Sequence, residues 1–298
     1  MYENWQVETT LRCNLKCRHC LINDGVERHG VIEDNLKDAV SRIADLGGKS
    51  IGFTGGEPFM AHHLVDASVF ARSIGVSPSF ITNGQIVSKL DPGIIANTFE
   101  MIGVSIDGPN DVHDYVRGNG TYKHATKFIR NMIARKAYVV VYIVVNNLNI
   151  TRLCEVLTSL IALGVCAFHI NQLNVNGNAV ENSILHLNRP FTEVKKLVID
   201  QISEIIEIDE LVSTTSCDIG EHSLYLDRFG GIHSCVELGL GGGVPIVSIF
   251  DRTVEQILNK FFANFQQPAY CAYEMHRGKG LTLEFNLGCC PLLKTGGD

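Results

Sequence analysis

Cys13, Cys17 and Cys20 stand on one short stretch with the spacing Cys-x3-Cys-x2-Cys, directly after a run of β-forming residues. Three thiolates on a tight loop suit a cubane [4Fe–4S] cluster, in which each holds one iron and the fourth iron stays open to a small molecule. Arg12, Lys16 and Arg18 surround the cysteines and would offset the negative charge of thiolates and sulfides. The competing chemistry is structural zinc, which wants four ligands. His19 or another cysteine would have to supply the fourth, and on residue types alone both readings stand.

The chain has ten cysteines, and five of them, Cys217, Cys235, Cys271, Cys289 and Cys290, gather in its last third. A disulfide framework belongs to small secreted domains. Clustered thiols in a reducing compartment point instead to metal or cluster ligation. Four thiolates complete one cubane or one zinc site. Cys154 and Cys166 fall between the groups in apolar context and read as buried free thiols.

Positioning these groups requires a scaffold, and the first two-thirds of the chain alternate strand-like and helix-like segments. Apolar strands read at 6–10, 50–54, 78–82, 101–106, 137–145 and 165–170. One helix reads over 32–47, with Ile32, Leu36, Ala39, Val40 and Ile43 on one face and Gly47-Gly48 as its left-handed stop. A second reads over 121–135, with the stripe Ala125, Phe128, Ile129 and Met132. Asn149 is the expected N-cap of a helix carrying Leu153, Val156, Leu157 and Leu160. Pro190 opens a last long helix, read as packing, with Val194 and Val198 inward. Six βα units imply a parallel sheet covered on both faces. That sheet is either open and doubly wound or a partial barrel. From about residue 211 strands shorten and glycines gather, which places a boundary near 210. Leu224–Asp227 and Ile232–Cys235 flank a Phe-Gly-Gly turn and read as a β-hairpin.

Composition narrows the function. Of 298 residues, 45% are hydrophobic and 19% charged, as in an ordinary globular protein. A net charge of −7 argues against a nucleic-acid surface. No apolar run is long enough to span a bilayer. The first residues lack a basic start and an apolar core, so no signal peptide and a cytoplasmic location are expected.

The polar motifs fall at the ends of the strands. Gly55-Gly56-Glu57-Pro58 follows the second, Thr82-Asn83-Gly84 the third, and Ser105-Ile106-Asp107-Gly108 the fourth. Val116-Arg117-Gly118 comes next, and Asn171, Gln172 and Asn174 follow the sixth. With the cysteine spacing, this order resembles the radical S-adenosylmethionine (SAM) superfamily over roughly residues 5–180. In β/α barrels the C-terminal ends of strands carry the active site, which favours the partial (β/α)6 TIM-like barrel for residues 1–210. The resemblance implies that Cys13, Cys17 and Cys20 hold a [4Fe–4S] cluster. It implies that Gly55, Gly56, Glu57 and Pro58 receive the amino group of SAM, with Thr82 and Asn83 beside them. Ser105, Asp107 and Arg117 would face its ribose and carboxylate, and Asn171 its adenine. His19 stands where the family usually has an aromatic residue beside adenine. The blander readings are turn caps for Glu57 and Asp107, and a surface pair with Asp114 for Arg117.

The segment from Cys217-Asp218-Ile219-Gly220 to Cys235 resembles the opening of SPASM and Twitch domains. The resemblance implies a small auxiliary-cluster domain at 211–298, with one auxiliary [4Fe–4S] cluster on Cys217, Cys235, Cys271 and Cys289. Cys290, the member left over, is a candidate hydrogen donor. The implied chemistry is reductive cleavage of SAM to a 5′-deoxyadenosyl radical that abstracts hydrogen from a substrate carbon. An external one-electron reductant of the flavodoxin or ferredoxin type would drive it. The expected substrate is a ribosomally made peptide, with epimerisation ahead of crosslinking or oxidation. A sugar or aminoglycoside-type molecule is the second expectation, and a SAM-binding iron–sulfur sensor without turnover the third. Because the first strand begins close to Met1, a separate peptide-recognition protein is expected.

Overall fold

A computed structural model describes residues 2–22, 29–189, 191–203, 210–212, 223–234, 244–263, 273–278 and 281–286. The alternation runs β1 (Asn4–Thr10), α1 (Val31–Asp34), α2 (Leu36–Asp45), β2 (Ser50–Gly55), α3 (Leu64–Ser73), β3 (Ser77–Thr82) and α4 (Pro92–Thr98). It continues with β4 (Met101–Ser105), α5 (Asn110–Arg117), α6 (Thr121–Ile133), β5 (Val139–Val145), α7 (Leu153–Ile161), β6 (Ala167–Gln172) and α8 (Phe191–Ser203). Shorter elements follow: β7 (Glu210–Val212), β8 (Ser223–Leu226), β9 (Gly231–His233), β10 (Val247–Ser248), α9 (Val254–Ala263), β11 (Tyr273–Gly278) and β12 (Leu281–Asn286). Among the described residues no helix is long and apolar enough to cross a membrane.

Strands β1 to β6 lie side by side in chain order, all parallel. Each is followed by helix, which makes the six βα units of a partial TIM-like barrel. Strand residues alternate between the two faces. Phe53, Phe80, Ile102, Val141 and Phe168 form the outward row and are wholly buried under the helices. The inward row includes Gln6, Gly52, Ser79, Tyr142 and His169, all half-buried. One face therefore makes the core and the other lines a hollow.

Most helices match the periodicity, and two details depart from it. The segment expected as one helix over 32–47 breaks at Asn35, whose Nδ2 donates to Val31 O at 2.7 Å and competes with the backbone ladder. Asn149 is not the N-cap of α7, a place taken by Arg152. Its buried amide instead donates to Asp107 O at 2.5 Å and Val144 O at 2.8 Å, tying together the loops after β4 and β5. Pro190 lies outside the described residues. In the helix that follows it, Val194 and Val198 are fully buried, as the packing role requires.

The sheet extends beyond the barrel at both ends. β8 pairs parallel with β1, and β8 and β9 form the expected hairpin, with Tyr225 opposite His233 and Leu226 opposite Ile232. On the far side β12 pairs parallel with β6 and antiparallel with β11. His233, expected on the hairpin surface, is buried against Asp227 Oδ2 at 2.7 Å, on the same face as the buried Tyr225, whose ring lies 6.0 Å away. Cys166 is exposed, contrary to the core reading, and Cys154 is half-buried, its thiol donating to Gln201 O at 2.8 Å.

A buried carboxylate seals the seam between hairpin and barrel. Glu8 accepts the Tyr225 hydroxyl at 2.5 Å and Arg228 Nη1 at 2.7 Å, and only 2% of it is exposed. Removing one partner of a buried ion pair strands the other charge. Arg228→Ala is therefore expected to cost about 3 kcal/mol in urea denaturation. Tyr225→Phe, which removes one hydrogen bond to a charged group, should cost about 2 kcal/mol. An Arg228→Ala loss below about 1 kcal/mol, the size of an exposed pair, would mean that Glu8 is not held by this contact.

Candidate active site

The cysteine loop leaves β1 at Thr10 and is fastened at both ends. At its start, Gly56 N donates to Thr10 O at 2.7 Å and Glu57 N to Arg12 O at 2.9 Å. These bonds press the turn after β2 against the loop. A side chain on Gly55, which sits at φ +138°, would place its Cβ 2.1 Å from Thr10 O, and one on Gly56 would stand 2.4 Å from Arg12 O. The two glycines are thus required by close backbone approach. Arg12 itself grips the buried Glu33 and donates to Met60 O at 2.9 Å.

At the other end, Arg18 N donates to Val116 O at 2.8 Å, and Asn178 binds Cys20 O at 2.8 Å and Cys17 O at 3.1 Å. Gly177 lies flat on the loop; its Cβ would stand 2.4 Å from Cys20 O. Sequence reading missed Gly177 and Asn178, which carry no motif. Cys17 is buried, and Cys13 and Cys20 are half-buried. Cys13 Sγ accepts from Leu15 N at 3.4 Å and Asn83 Nδ2 at 3.7 Å. Burial pushes the Cys17 thiol up to about 12 and raises Cys13 as well, while Arg117 pulls both down. An isolated thiolate is disfavoured here, whereas cationic iron would compensate it and displace the proton. Among the described residues no three side chains converge to hold a single metal ion; a cubane asks that each thiolate meet a different iron. On the outer side of the loop, Lys16, Cys17, Arg18 and Tyr115 line an open cleft of about 750 Å³.

Two buried polar groups flank the loop. Glu57 is wholly buried and accepts from Thr82 Oγ1 at 2.8 Å, Asn83 N at 2.9 Å and Phe59 N at 3.4 Å. Pro58 opens the short 3-10 turn that Glu57 caps. Among the described residues no cation forms an ion pair with this carboxylate, and burial lifts its pKa to about 7. A buried acceptor without a counter-charge suits an incoming ammonium.

The second group centres on Asp107, also wholly buried. Arg117 Nε donates to its Oδ2 at 2.5 Å, and Val144 N donates to Oδ1 at 3.1 Å. Burial opposes ionisation of Asp107, but the charge of Arg117 and its hydrogen bond outweigh it, holding the carboxyl well below its usual range. The surface pair with Asp114 does not form. Asp114 instead accepts from Gly120 N at 2.7 Å and Tyr122 N at 2.8 Å. His19 Nε2 lies 3.5 Å from Asp107 Oδ2 and 3.4 Å from Arg117 Nη2, and burial keeps the imidazole neutral, with its pKa near 4. His113, absent from the sequence motifs, accepts Asp107 N at 3.1 Å. Ser105 ends β4 beside this group and is buried.

The adenine-side residues stand apart. Asn171 Oδ1 meets His169 Nε2 at 3.0 Å, and Asn174 accepts from Asn176. Among the described residues, Gln172 Oε1 is buried without a hydrogen-bond partner, as is His19 Nδ1. Buried orphaned polar atoms call for an absent partner. The residues present thus fit a bound SAM and cluster. Cys217, Cys235, Cys271, Cys289 and Cys290 lie outside the described residues.

The barrel, the fastened three-cysteine loop and the polar strand ends define a class. Residues 7–160 match the model of the Radical SAM superfamily, and the chain belongs to it. Members use SAM and a [4Fe–4S] cluster. Among relatives, the chain is 26% identical over 269 residues to the antilisterial bacteriocin subtilosin biosynthesis protein AlbA of Bacillus subtilis, covering 85% of this chain and 58% of AlbA. It is 26% identical over 178 residues to the mycofactocin maturase MftC of Mycobacterium tuberculosis, covering 58% of this chain and 45% of MftC. The chain thus spans about half the length of these curated relatives. In fold it is similar to Streptococcus suis SuiB bound to SAM, with a TM-score of 0.72 at 14% identity over 86% of this chain and 65% of SuiB. SuiB has also been solved bound to its precursor peptide SuiA, a structure matched with a TM-score of 0.70 at 12% identity over 89% of this chain and 67% of SuiB.

Proposed function

We propose that this chain cleaves SAM reductively at a [4Fe–4S] cluster held by Cys13, Cys17 and Cys20, and modifies a ribosomally made peptide. The observation that carries the reading is the fastening of the cysteine loop to Glu57, a wholly buried carboxylate with no ion-pair partner among the described residues. When bound, the cluster and SAM supply a 5′-deoxyadenosyl radical that abstracts hydrogen from a substrate carbon. Glu57 orients the amino group of the cofactor, and Thr82 and Asn83 hold Glu57. Arg117, steadied by Asp107, takes the carboxylate. His19, Asn171 and Gln172 offer polar edges to the adenine. The cleft at Cys17, lined by Lys16 and Arg18 together with Asp111, Asp114 and Glu181, gives a one-electron carrier an approach to the cluster.

The peptide is supported by the relatives: a bacteriocin biosynthesis protein, a maturase and a fold neighbour bound to a precursor peptide. Residues 211–298 form the auxiliary unit in this reading, with a second cluster on Cys217, Cys235, Cys271 and Cys289. The reaction is epimerisation: Cys290 would return a hydrogen atom to the opposite face, and the thiyl radical left on it would regain one electron from the external reductant and a proton from solvent.

The test is anaerobic reconstitution with iron and sulfide, then dithionite, SAM and the peptides encoded by short reading frames beside the gene, in D2O. About eight irons per chain are expected, from two cubanes of four, together with 5′-deoxyadenosine and deuterium on an inverted carbon. About four irons would remove the auxiliary cluster. Modification without solvent deuterium would replace epimerisation by crosslinking or oxidation. Iron without 5′-deoxyadenosine under every condition would sink the enzymatic reading.

A further inference from the structure

Two glycines interrupt the inward row of the barrel, for different reasons. Gly103 on β4 is covered: a Cβ there would stand 2.8 Å from Tyr142 Cε2 and 2.9 Å from Phe80 O. Its missing side chain lets the Tyr142 ring lie against the sheet. That ring stacks on His169, with centroids 4.8 Å apart and planes at 25°. Together they form a flat wall on β5 and β6.

Gly52 on β2 has no such cover. A Cβ there would meet only Ser79 Oγ at 3.5 Å and Trp5 O at 3.9 Å, both ordinary contacts, and its φ lies outside the left-handed region. Neither backbone conformation nor crowding calls for glycine. Glycine inside a strand weakens it, and where no bulge or bend needs it, it marks the close approach of another molecule. Gly52 and its neighbours Gln6 and Ser79 are half-buried, whereas Ile51 and Phe53 on the outward face are wholly buried. The space before Gly52 is open, on the same face of the sheet as Tyr142 and His169. Gly52 stands three residues before Gly55, the end of β2, and so lies below the strand ends that carry the residues assigned to SAM.

We propose that Gly52 reserves the space entered by the peptide residue that is modified, with the Tyr142–His169 stack as the opposite wall, so that Gly52 sets the size of the residue accepted. This rests on the peptide reading above and adds the specificity-determining position to it. A Cβ at Gly52 would meet no atom of the cysteine loop or of Glu57 within 4 Å, so a small replacement leaves the cofactor machinery in place.

The test uses reconstituted wild-type, Gly52→Ala and Gly52→Val proteins, with dithionite, SAM and a set of N-acetyl-Gly-Xaa-Gly-amide tripeptides deuterated at Xaa. The readout is deuterium in 5′-deoxyadenosine; iron content and peptide-free cleavage of SAM are controls. Wild-type protein should take deuterium from at least one residue type. Gly52→Ala should narrow the set toward smaller residues, and Gly52→Val should lower transfer about tenfold or more, as overfilling a fitted space does. Peptide-free cleavage should stay within about twofold, since valine suits a strand. Unchanged transfer by Gly52→Val would overturn the proposal. So would loss of iron and peptide-free cleavage in both variants, which would make Gly52 a structural glycine. Absence of transfer from every tripeptide in the wild type, together with no modification of the encoded peptides in the reconstitution above, would overturn the peptide reading itself, while Ser79→Val, filling the same space from β3, repeats the size test at a second position.

Discussion

Asp107→Asn is expected to lower the free energy of unfolding by about 3–5 kcal/mol, the usual cost of breaking a buried ion pair from one side. The carboxylate is fully buried and its partner Arg117 nearly so, with 11% of that side chain exposed. Asparagine keeps the shape and can still accept from Val144 N, but it leaves the guanidinium without a counter-charge. The pH profile carries the same signature. The folded carboxyl titrates well below its unfolded value, so its contribution is present above the unfolded pKa and is lost only as pH falls through the depressed one. The gap between wild type and variant should therefore stay constant from neutral pH down to about pH 4, near the unfolded carboxyl pKa, and narrow below it. The double variant Asp107→Asn with Arg117→Met removes both charges and should recover more than half of the lost stability. It should not recover cleavage of SAM, because Arg117 is assigned to the cofactor. A single-variant loss below about 1 kcal/mol, typical of an exposed pair, or a double variant no more stable than the single one, would show that the pair is not what holds this corner.

This pair also shows where sequence reading stops. Asp107 and Arg117 were each legible as motif residues at the end of a strand and of a helix. Their pairing was not, because Asp114 is nearer to Arg117 in sequence and looked equally suitable. Asp114 is spent on the backbone amides of the turn that follows it. The strands were legible because a parallel sheet buried on one side by helices needs apolar residues at every outward position, as in Val139–Val145. Asn178 was not, because its bond to Cys17 O spans 161 residues of sequence and no local pattern encodes such a contact. The same holds for Asn149, whose amide suited a helix cap on local grounds but is claimed by Asp107 O, 42 residues away. His233 fails for a related reason. Alternation in a two-stranded hairpin puts every second residue in water, but His233 stands opposite the buried Tyr225 and is held by Asp227, a pairing no local pattern shows.

Glu57→Gln should change the pH dependence of both stability and cofactor binding. The folded carboxyl titrates near 7 against 4.5 for its ordinary value, because burial penalises the anion more than its three hydrogen bonds favour it. Between these values the folded protein keeps a proton that the unfolded chain releases, so stability falls as pH rises from about 4.5 through about 7. A shift of this size corresponds to about 3 kcal/mol across the window. Glutamine mimics the protonated acid: its oxygen can accept Asn83 N, and its amide can donate to Thr82 Oγ1 once that hydroxyl turns. The variant should fold with a flatter profile and be the more stable protein at pH 8. Binding should move the other way. An ammonium group favours the ionised carboxylate, so the reconstituted wild type should release a proton on binding SAM near neutrality and bind more tightly at pH 8 than at pH 6. The variant should lose that dependence and bind about tenfold or more weakly, as removal of a buried charge-assisted contact predicts. Titration of SAM itself is common to both proteins and cancels in the comparison. Calorimetry in buffers of different ionisation enthalpy counts the proton directly. Equal affinity and equal proton release in both proteins would detach Glu57 from the amino group, and would leave the buried carboxylate as a turn cap that the fold tolerates at a cost.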